Sequence, residues 1–380
     1  MPAVAGPPPG TRKDRGAAVP FSKDEDIRVR VVRYAILAPS PSNTQPWRVA
    51  FRGNDRIVLS LDQSRALPAR DPHGRWAFLS CGAFLENLEI AARQFGYRAD
   101  IDLFPAGWPD PGKPLFDPVA HIDLEGDKNA RPDPLFAAIP DRRTNRRLFS
   151  REEISLSVAG ELAECADFEL VPFGFSQDRD LVRAIRDLAA EAFLGELSDG
   201  DRFFEFLEYF RFTDDETKKA RDGFGYAQSG HGMISRFFIG TFLRSRKSAL
   251  RHPEKFVQKE VSCICARLDH CGGVGWLSTK GDYRIDQVRA GRVFERVHLK
   301  ATSLSLALQP VTAPIADIPP VAGIRSQVCE FLGLPRTHTL QMLFRIGYAP
   351  GVPAPPRRDL ASFFPAGEAH NTSHVPGQST

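Results

Sequence analysis

No apolar run in this 380-residue sequence approaches the roughly 18 residues that a membrane-spanning helix needs, because charge interrupts each one. Net charge is only +3, so no global field argues for nucleic acid or an anionic membrane as partner. The N-terminal stretch from Met1 to Pro20 is rich in Pro, Gly and Ala and carries Arg12, Lys13, Asp14 and Arg15, but it lacks an apolar signal-peptide core. Six cysteines in so long a chain, with no such core, are expected to be free thiols in a reducing, cytoplasmic setting. Cys263, Cys265, His270 and Cys271 crowd together, yet their spacing fits no standard zinc pattern, and thiols in or near the core are the expectation. No Gly-x-Gly-x-x-Gly follows a strand, and neither a P-loop nor His-Glu-x-x-His occurs. A nicotinamide, if used, would have to bind without a Rossmann domain.

What is present suits a two-part globular protein. The hydrophobic fraction of 42% supports real cores, and 26% charged residues is ordinary. Apolar spacing predicts a helix over 24–37, strands over 47–51 and 56–61 across the Gly53-Asn54-Asp55 turn, and a helix from Arg75 to Phe95. Gly82 and Ala83 in that helix permit close packing against another. Strands follow at 99–104 and 118–124. The Gly/Asp/Asn/Pro-rich stretch 125–140 reads as a hinge, placing a boundary between halves at 23–140 and 141–360. Residues 1–22 and 361–380 read as a disordered arm and a flexible tail. In the second half a strand is expected within 168–173, helices over 178–193, 286–308 and 321–332, and strands over 273–278 and 339–348. An insert at 196–256 carries Phe203, Phe204, Phe206, Phe210 and Phe212, a Gly-rich stretch, then Phe237, Phe238 and Phe242. It suits a lid, a dimer surface or a buried helical hairpin.

Three stretches carry chemistry. Residues 38–48, Ala-Pro-Ser-Pro-Ser-Asn-Thr-Gln-Pro-Trp-Arg, pack prolines, small hydroxyls and two amides into a corner between helix and strand. Such a corner suits the polar edge of a flat heterocycle, or it is a plain linker. Arg142, Arg143, Arg146 and Arg147 fall within six residues, with Thr144 and Asn145 between them. They repel one another unless an anion sits among them, and guanidinium forks match a phosphate; the alternative is a solvated face. Arg357-Arg358 forms a third basic group after the last strand.

The run Pro39-Ser40-Pro41-Ser42-Asn43-Thr44-Gln45-Pro46-Trp47 resembles the flavin-ring loop of the nitroreductase superfamily. Arg142 to Phe149 resembles that family's phosphate motif, and Gly291 to Pro310 its long dimer-core helix. The closest likeness is to the single-chain, Acg-type branch. The resemblance implies an α+β, nitroreductase-like fold in which two diverged halves form an intramolecular pseudo-dimer. It implies one FMN per chain, held by Ser40, Ser42, Asn43 and Gln45 at the ring, and by Arg142, Arg143, Asn145, Arg146, Arg357 and Arg358 around the phosphate. The backbone N–H of Thr312 or Ala313 would lie near flavin N5. Three departures stand out: Pro41 takes the place of a second hydroxyl, Ser305 that of a helix-ending glycine, and Leu308 that of a small residue. The implied activity is FMN-dependent oxidation–reduction with NAD(P)H as donor and a nitroaromatic or quinone as acceptor, with no protein acid or nucleophile required. The alternative is an FMN-storage protein whose aromatic insert closes over the flavin. A monomer or a weak homodimer is expected.

Overall fold

The computed structural model describes residues 25–107, 117–225 and 245–365. The N-terminal arm, the centre of the aromatic insert (226–244) and most of the C-terminal tail lie outside the described residues.

The chain opens with α1 (Ile27–Ala35), capped by Asp26, whose carboxylate accepts the Arg28 N–H. Strands β1 (Trp47–Arg52) and β2 (Arg56–Leu61) pair antiparallel across the Gly53 turn, where φ is +58°. Next comes the 20-residue helix α2 (Arg75–Gln94), followed by β3 (Tyr97–Leu103) and β4 (Ala120–Gly126). These four strands form a sheet in the order β1-β2-β4-β3.

The second half holds α3 (Leu156–Ala166), β5 (Phe173–Ser176), α4 (Arg179–Leu197) and α5 (Gly200–Tyr209). A short parallel pair, β6 (Phe210–Arg211) and β7 (Phe224–Gly225), flanks α6 (Asp214–Ala220). Then follow α7 (Arg246–Arg251), α8 (Pro253–Asp269), β8 (Gly273–Thr279), α9 (Arg284–Ser303), β9 (Ala307–Pro310), α10 (Ala322–Phe331) and β10 (Thr339–Gly347). The second sheet runs β5-β8-β10-β9.

The two sheets share one plan. In each, an edge strand and an inner strand precede a 20-residue helix, and an edge strand and an inner strand follow it. Helices α2 and α9 even share four positions: each begins with Arg (75, 284), has Gly eighth (82, 291), Glu twelfth (86, 295) and Ala eighteenth (92, 301). They cross back to back at the glycines. A Cβ on Gly82 would fall 1.9 Å from the Val288 carbonyl oxygen, and one on Gly291 would fall 2.0 Å from that of Leu79. Each helix also lends side chains to the other half's core. Trp76 and Leu79 enter the second core, and Val288 and Leu299 the first. This is the intramolecular pseudo-dimer expected from the sequence.

Two local expectations are corrected. Residues 168–170 form a turn rather than a strand, with Glu169 and Leu170 at φ +58° and +56°, and β5 starts only at Phe173. Helix α9 ends at Ser303, not 308. Its last turn closes with Leu306 N–H on the Ala301 carbonyl (2.8 Å) and Ser305 N–H on that of Thr302 (3.0 Å), which releases Ala307–Pro310 into β9. Ser305 takes φ +60° there and is exposed. A left-handed backbone costs a residue with a Cβ about 1–2 kcal/mol, and glycine's extra chain entropy offsets part of that. Ser305→Gly is therefore expected to stabilise the fold by about 0.5 kcal/mol in urea unfolding; a loss of stability would contradict this account.

The aromatic insert is largely core where it is described. Phe210 meets Phe256 (5.8 Å between centroids), Phe224 (5.4 Å) and Phe212 (4.9 Å), while Phe203 and Phe206 also pack on Phe256. Beyond β10 the chain crosses back to the first half. Phe363 and Phe364, in the stretch read as tail, are buried against Trp47 and Phe51.

Candidate functional site

A cavity of about 220 Å³ lies where the two halves meet. The first half contributes the corner after α1 (Pro39 to Ser42), Leu67 and Arg70, and the start of α2 (Trp76, Leu79, Ser80, Ala83). The second half contributes Thr144 and Arg146, the segment after α9 (Gln309 to Ala313), and an aromatic wall of Phe193, Phe206 and Phe224.

The corner is locally strained. Ser42, Asn43 and Gln45 adopt φ of +48°, +56° and +54°, conformations that non-glycine residues hold only when surroundings enforce them. Here the enforcement is visible. Ser40 Oγ accepts the Gln45 N–H at 2.9 Å. Asn43 Nδ2 donates to the carbonyls of Gly223 and Pro356, both at 3.0 Å, and its Oδ1 accepts from Arg357 Nη1. Buried Gln45 donates to the Arg221 carbonyl (3.0 Å) and accepts the Arg358 N–H (2.9 Å). Ser40 and Ser42 thus line the cavity, while the Asn43 and Gln45 side chains clamp the corner from behind.

Residues 142–147 run beside β9. Thr144 bridges to Leu308, and Asn145 N–H donates to the Leu308 carbonyl at 3.1 Å. Thr144 and Arg146 therefore face the cavity. Asn145 turns away, giving Nδ2 to the Pro350 carbonyl (2.9 Å) and accepting the Arg147 N–H. The Arg146 guanidinium lies over the Phe224 ring at 4.7 Å. Burial, with Arg267 adding repulsion, pulls its pKa down to about 10.

Arg142, Arg143 and Arg357 converge on a second spot and do not line the cavity. Arg142 Nη2 and Arg357 Nη2 both donate to the Leu37 carbonyl, at 2.9 and 2.8 Å. Buried Arg142 also faces Glu295 at 3.1 Å. Burial first, then repulsion by Arg142 and Arg143, holds Arg357 down to about 9; burial, then Arg142, holds Arg143 down to about 10. Glu295, fully buried, is raised to about 7. Arg358 gives Nη1 to the Gln45 carbonyl and lies over Phe363. Of the residues singled out from sequence, Ser40, Ser42, Arg146 and Thr312 line the cavity. Asn43, Gln45, Arg142, Arg143, Asn145, Arg357 and Arg358 form the shell around it.

Sequence reading missed five charged residues of this site: Arg70, Glu196, Glu260, Arg267 and Arg345. Arg70, in the polar loop before α2, donates to Glu196 (2.6 Å) and to Ser42 Oγ (3.2 Å). Arg345 on β10 is 1% exposed, stacks on Phe149 at 3.7 Å and donates to Gln309 and to the carbonyls of Arg267, Asn145 and Arg147. Glu260 and Arg267 on α8 complete the wall. The available signal was charge on an apolar face: Arg345 sits in the run Leu343 to Ile346, and Glu260 shares a helix face with Phe256 and Val257.

No protein-family model matches the chain. Curated relatives do, along nearly their whole length. "Putative NAD(P)H nitroreductase Rv3131" of Mycobacterium tuberculosis is 28% identical over 350 residues, covering 90% of this chain and 91% of its own. "Putative NAD(P)H nitroreductase acg" of the same organism is 29% identical over 366 residues, covering 89% and 95%. A third protein of that organism, the uncharacterized Rv3127, is 30% identical over 350 residues, covering 87% and 90%. Among solved structures, a nitroreductase with bound FMN from Desulfitobacterium hafniense is 15% identical with a TM-score of 0.35, over 60% of this chain and 96% of that one. The full-length likeness to the curated relatives, on a chain folded as two matched halves, settles the affiliation: the protein belongs to the nitroreductase family, in the single-chain branch that includes Acg.

Proposed function

We propose that the cavity holds one FMN and that the protein is an FMN-dependent oxidoreductase taking electrons from NAD(P)H and passing them to a conjugated acceptor such as a quinone or nitroaromatic. The observation that carries this reading is the convergence of the Pro39–Ser42 corner with Arg146 and Thr312, from opposite halves, on one cavity. The donor set fits the cofactor. Hydroxyls of Ser40, Ser42 and Thr144 offer hydrogen bonds to a heterocycle or sugar chain, and Arg146 offers a cation stacked on an aromatic face. The repelling trio Arg142, Arg143 and Arg357 gains from an anion nearby, which a phosphomonoester supplies. The same likeness to relatives' names supports the assignment, since Acg and Rv3131 are named for NAD(P)H and nitro reduction.

When bound, the flavin supplies the hydride-carrying chemistry. The chain's own residues orient and enclose. Asn43 and Gln45 fix the corner, Phe193, Phe206 and Phe224 exclude water, and Arg146 faces the electron-rich group. No acid or nucleophile of the protein is assigned to the reaction in this reading. A single site per chain follows from the corner and the arginine run each occurring once.

The test is reconstitution followed by an absorption spectrum. Wild type is expected to take up one FMN equivalent, and NADPH without oxygen is expected to bleach its 450 nm band. Arg146→Ala is expected to weaken FMN binding by roughly 10–100-fold, the worth of a charge-assisted hydrogen bond. A wild-type protein that retains no flavin would overturn the cofactor. Intact flavin that NAD(P)H never reduces would favour the storage reading.

A further inference from the structure

We infer that Glu260 selects the electron acceptor, by accepting a hydrogen bond from an N–H or O–H carried on a flat conjugated substrate of the aminoquinone or hydroxyquinone type. This rests on the cavity being the flavin site. Helix α8 buries Phe256, Val257, Glu260, Arg267 and Leu268, so one acid stands in a largely apolar stripe. Glu260 is 6% exposed and lines the cavity beside Ile264. Its Oε1 has no hydrogen-bond partner among the described residues.

A buried acceptor left unbonded lowers stability, so its presence calls for a partner that the described residues do not supply. The other buried carboxylate on the wall, Glu196, is already bonded to Arg70 at 2.6 Å. The nearby cations attract Glu260 without bonding its Oε1: Arg146, whose charge Glu260 supports, lies over Phe224, and Arg267 Nε donates to the Arg146 carbonyl at 3.0 Å. The cavity that Glu260 lines also presents apolar faces from Phe193, Phe206 and Phe224. Apolar faces take a flat ring of many kinds. A buried acceptor discriminates, because an analogue lacking the donor leaves the carboxylate unpaired again.

The test uses FMN-loaded, oxidised protein and needs no turnover. Calorimetric titration compares 2-amino-1,4-naphthoquinone with 2-methyl-1,4-naphthoquinone, which present similar rings and differ in the donor. In Glu260→Leu the amino compound is expected to bind at least tenfold more weakly and the methyl compound within twofold of wild type. Glu260→Gln, which keeps an uncharged oxygen, is expected to fall between, and it carries the test if the leucine variant does not fold. The thermal midpoint of Glu260→Leu should equal or exceed that of wild type, the reverse of what a purely structural carboxylate would show. Equal affinities for both quinones in wild type and variants would overturn the assignment, as would an equal loss for both. Loss of FMN from the variants alone would also overturn it, by making Glu260 a cofactor ligand. Failure of wild type itself to hold FMN would instead sink the cofactor reading, and the same titration on the flavin-free protein would then decide Glu260 separately.

Discussion

Gly82→Ala and Gly291→Ala are each expected to destabilise the protein by about 3 kcal/mol, the upper end of what one inserted methyl group costs in a packed core. Elsewhere in a helix the same change would add roughly 1 kcal/mol of stability, because alanine is the better helix former. The sign reverses here because there is nowhere for the methyl group to go. The atoms it meets are backbone: the Val288 carbonyl at 1.9 Å for Gly82, and the Leu79 carbonyl at 2.0 Å for Gly291. Backbone in the middle of two helices cannot swing aside as a side chain would, so α2 and α9 must separate along their length. Both cores then open, since Trp76, Leu79, Val288 and Leu299 reach across that contact. Gly160→Ala in α3, where a new Cβ meets nothing within 4 Å, is the control and should stabilise slightly. Urea unfolding of the three variants checks the pattern. Ordinary stability in both crossing-point variants would show that the helices have room to spare. The two changes touch the same contact, so their effects should not add.

Arg345→Ala carries the second large effect, roughly 3–5 kcal/mol of stability together with loss of the cofactor site. The Arg345 guanidinium is the hub of the loop that presents Thr144 and Arg146. It donates to the carbonyls of Asn145 and Arg147 on that loop, to Arg267 on α8, and to Gln309 on β9. Burial, with repulsion from Arg267, drives its pKa well down. Removing it leaves buried carbonyls unpaired and removes the ring contact with Phe149. Lysine restores a charge but not the fork, so Arg345→Lys should recover only part of the loss. FMN affinity and unfolding free energy, measured on both variants, test this together. A variant that loses stability but binds FMN normally would show that the loop holds its shape without the hub.

Local elements were legible where pattern and turn chemistry agreed. The β1–β2 hairpin follows from a glycine turn between apolar runs, and α2 from its 3.6-residue periodicity. The failures have physical causes. Residues 168–173 look strand-like by composition. Phe168 instead serves as a platform under Arg292 and Arg296, and the backbone then turns through two left-handed residues. Apolar spacing ran α9 on to Leu308 because β9 is as buried as the helix before it. The shared plan of the halves was hidden, since the two long helices keep in common only Arg, Gly, Glu and Ala at four positions.

At the site, Ser40, Ser42, Arg146 and Thr312 were readable through resemblance because each belongs to a contiguous motif. Arg70 and Arg345 were not, because each acquires its role from partners tens to hundreds of residues away, and Glu260 was not, because its place on the cavity wall depends on how α8 packs. Arg70 needs Glu196 and Ser42, and Arg345 needs a loop some 200 residues earlier. No local window contains such a pairing.

The return of the chain after β10 has a consequence for how the protein is made. Asn43 and Arg357 are bonded across 314 residues. At a synthesis rate of about 5–20 residues per second, the corner waits roughly 15–60 s on the ribosome before its clamp emerges. Through that interval the left-handed backbone at Ser42, Asn43 and Gln45 has no Arg357 or Arg358 to hold it. The first sheet is finished early, but the proposed cofactor pocket waits for Arg357 and Arg358. Flavin capture there is expected to follow synthesis of that segment, and a nascent chain stalled before residue 350 is expected to carry no flavin.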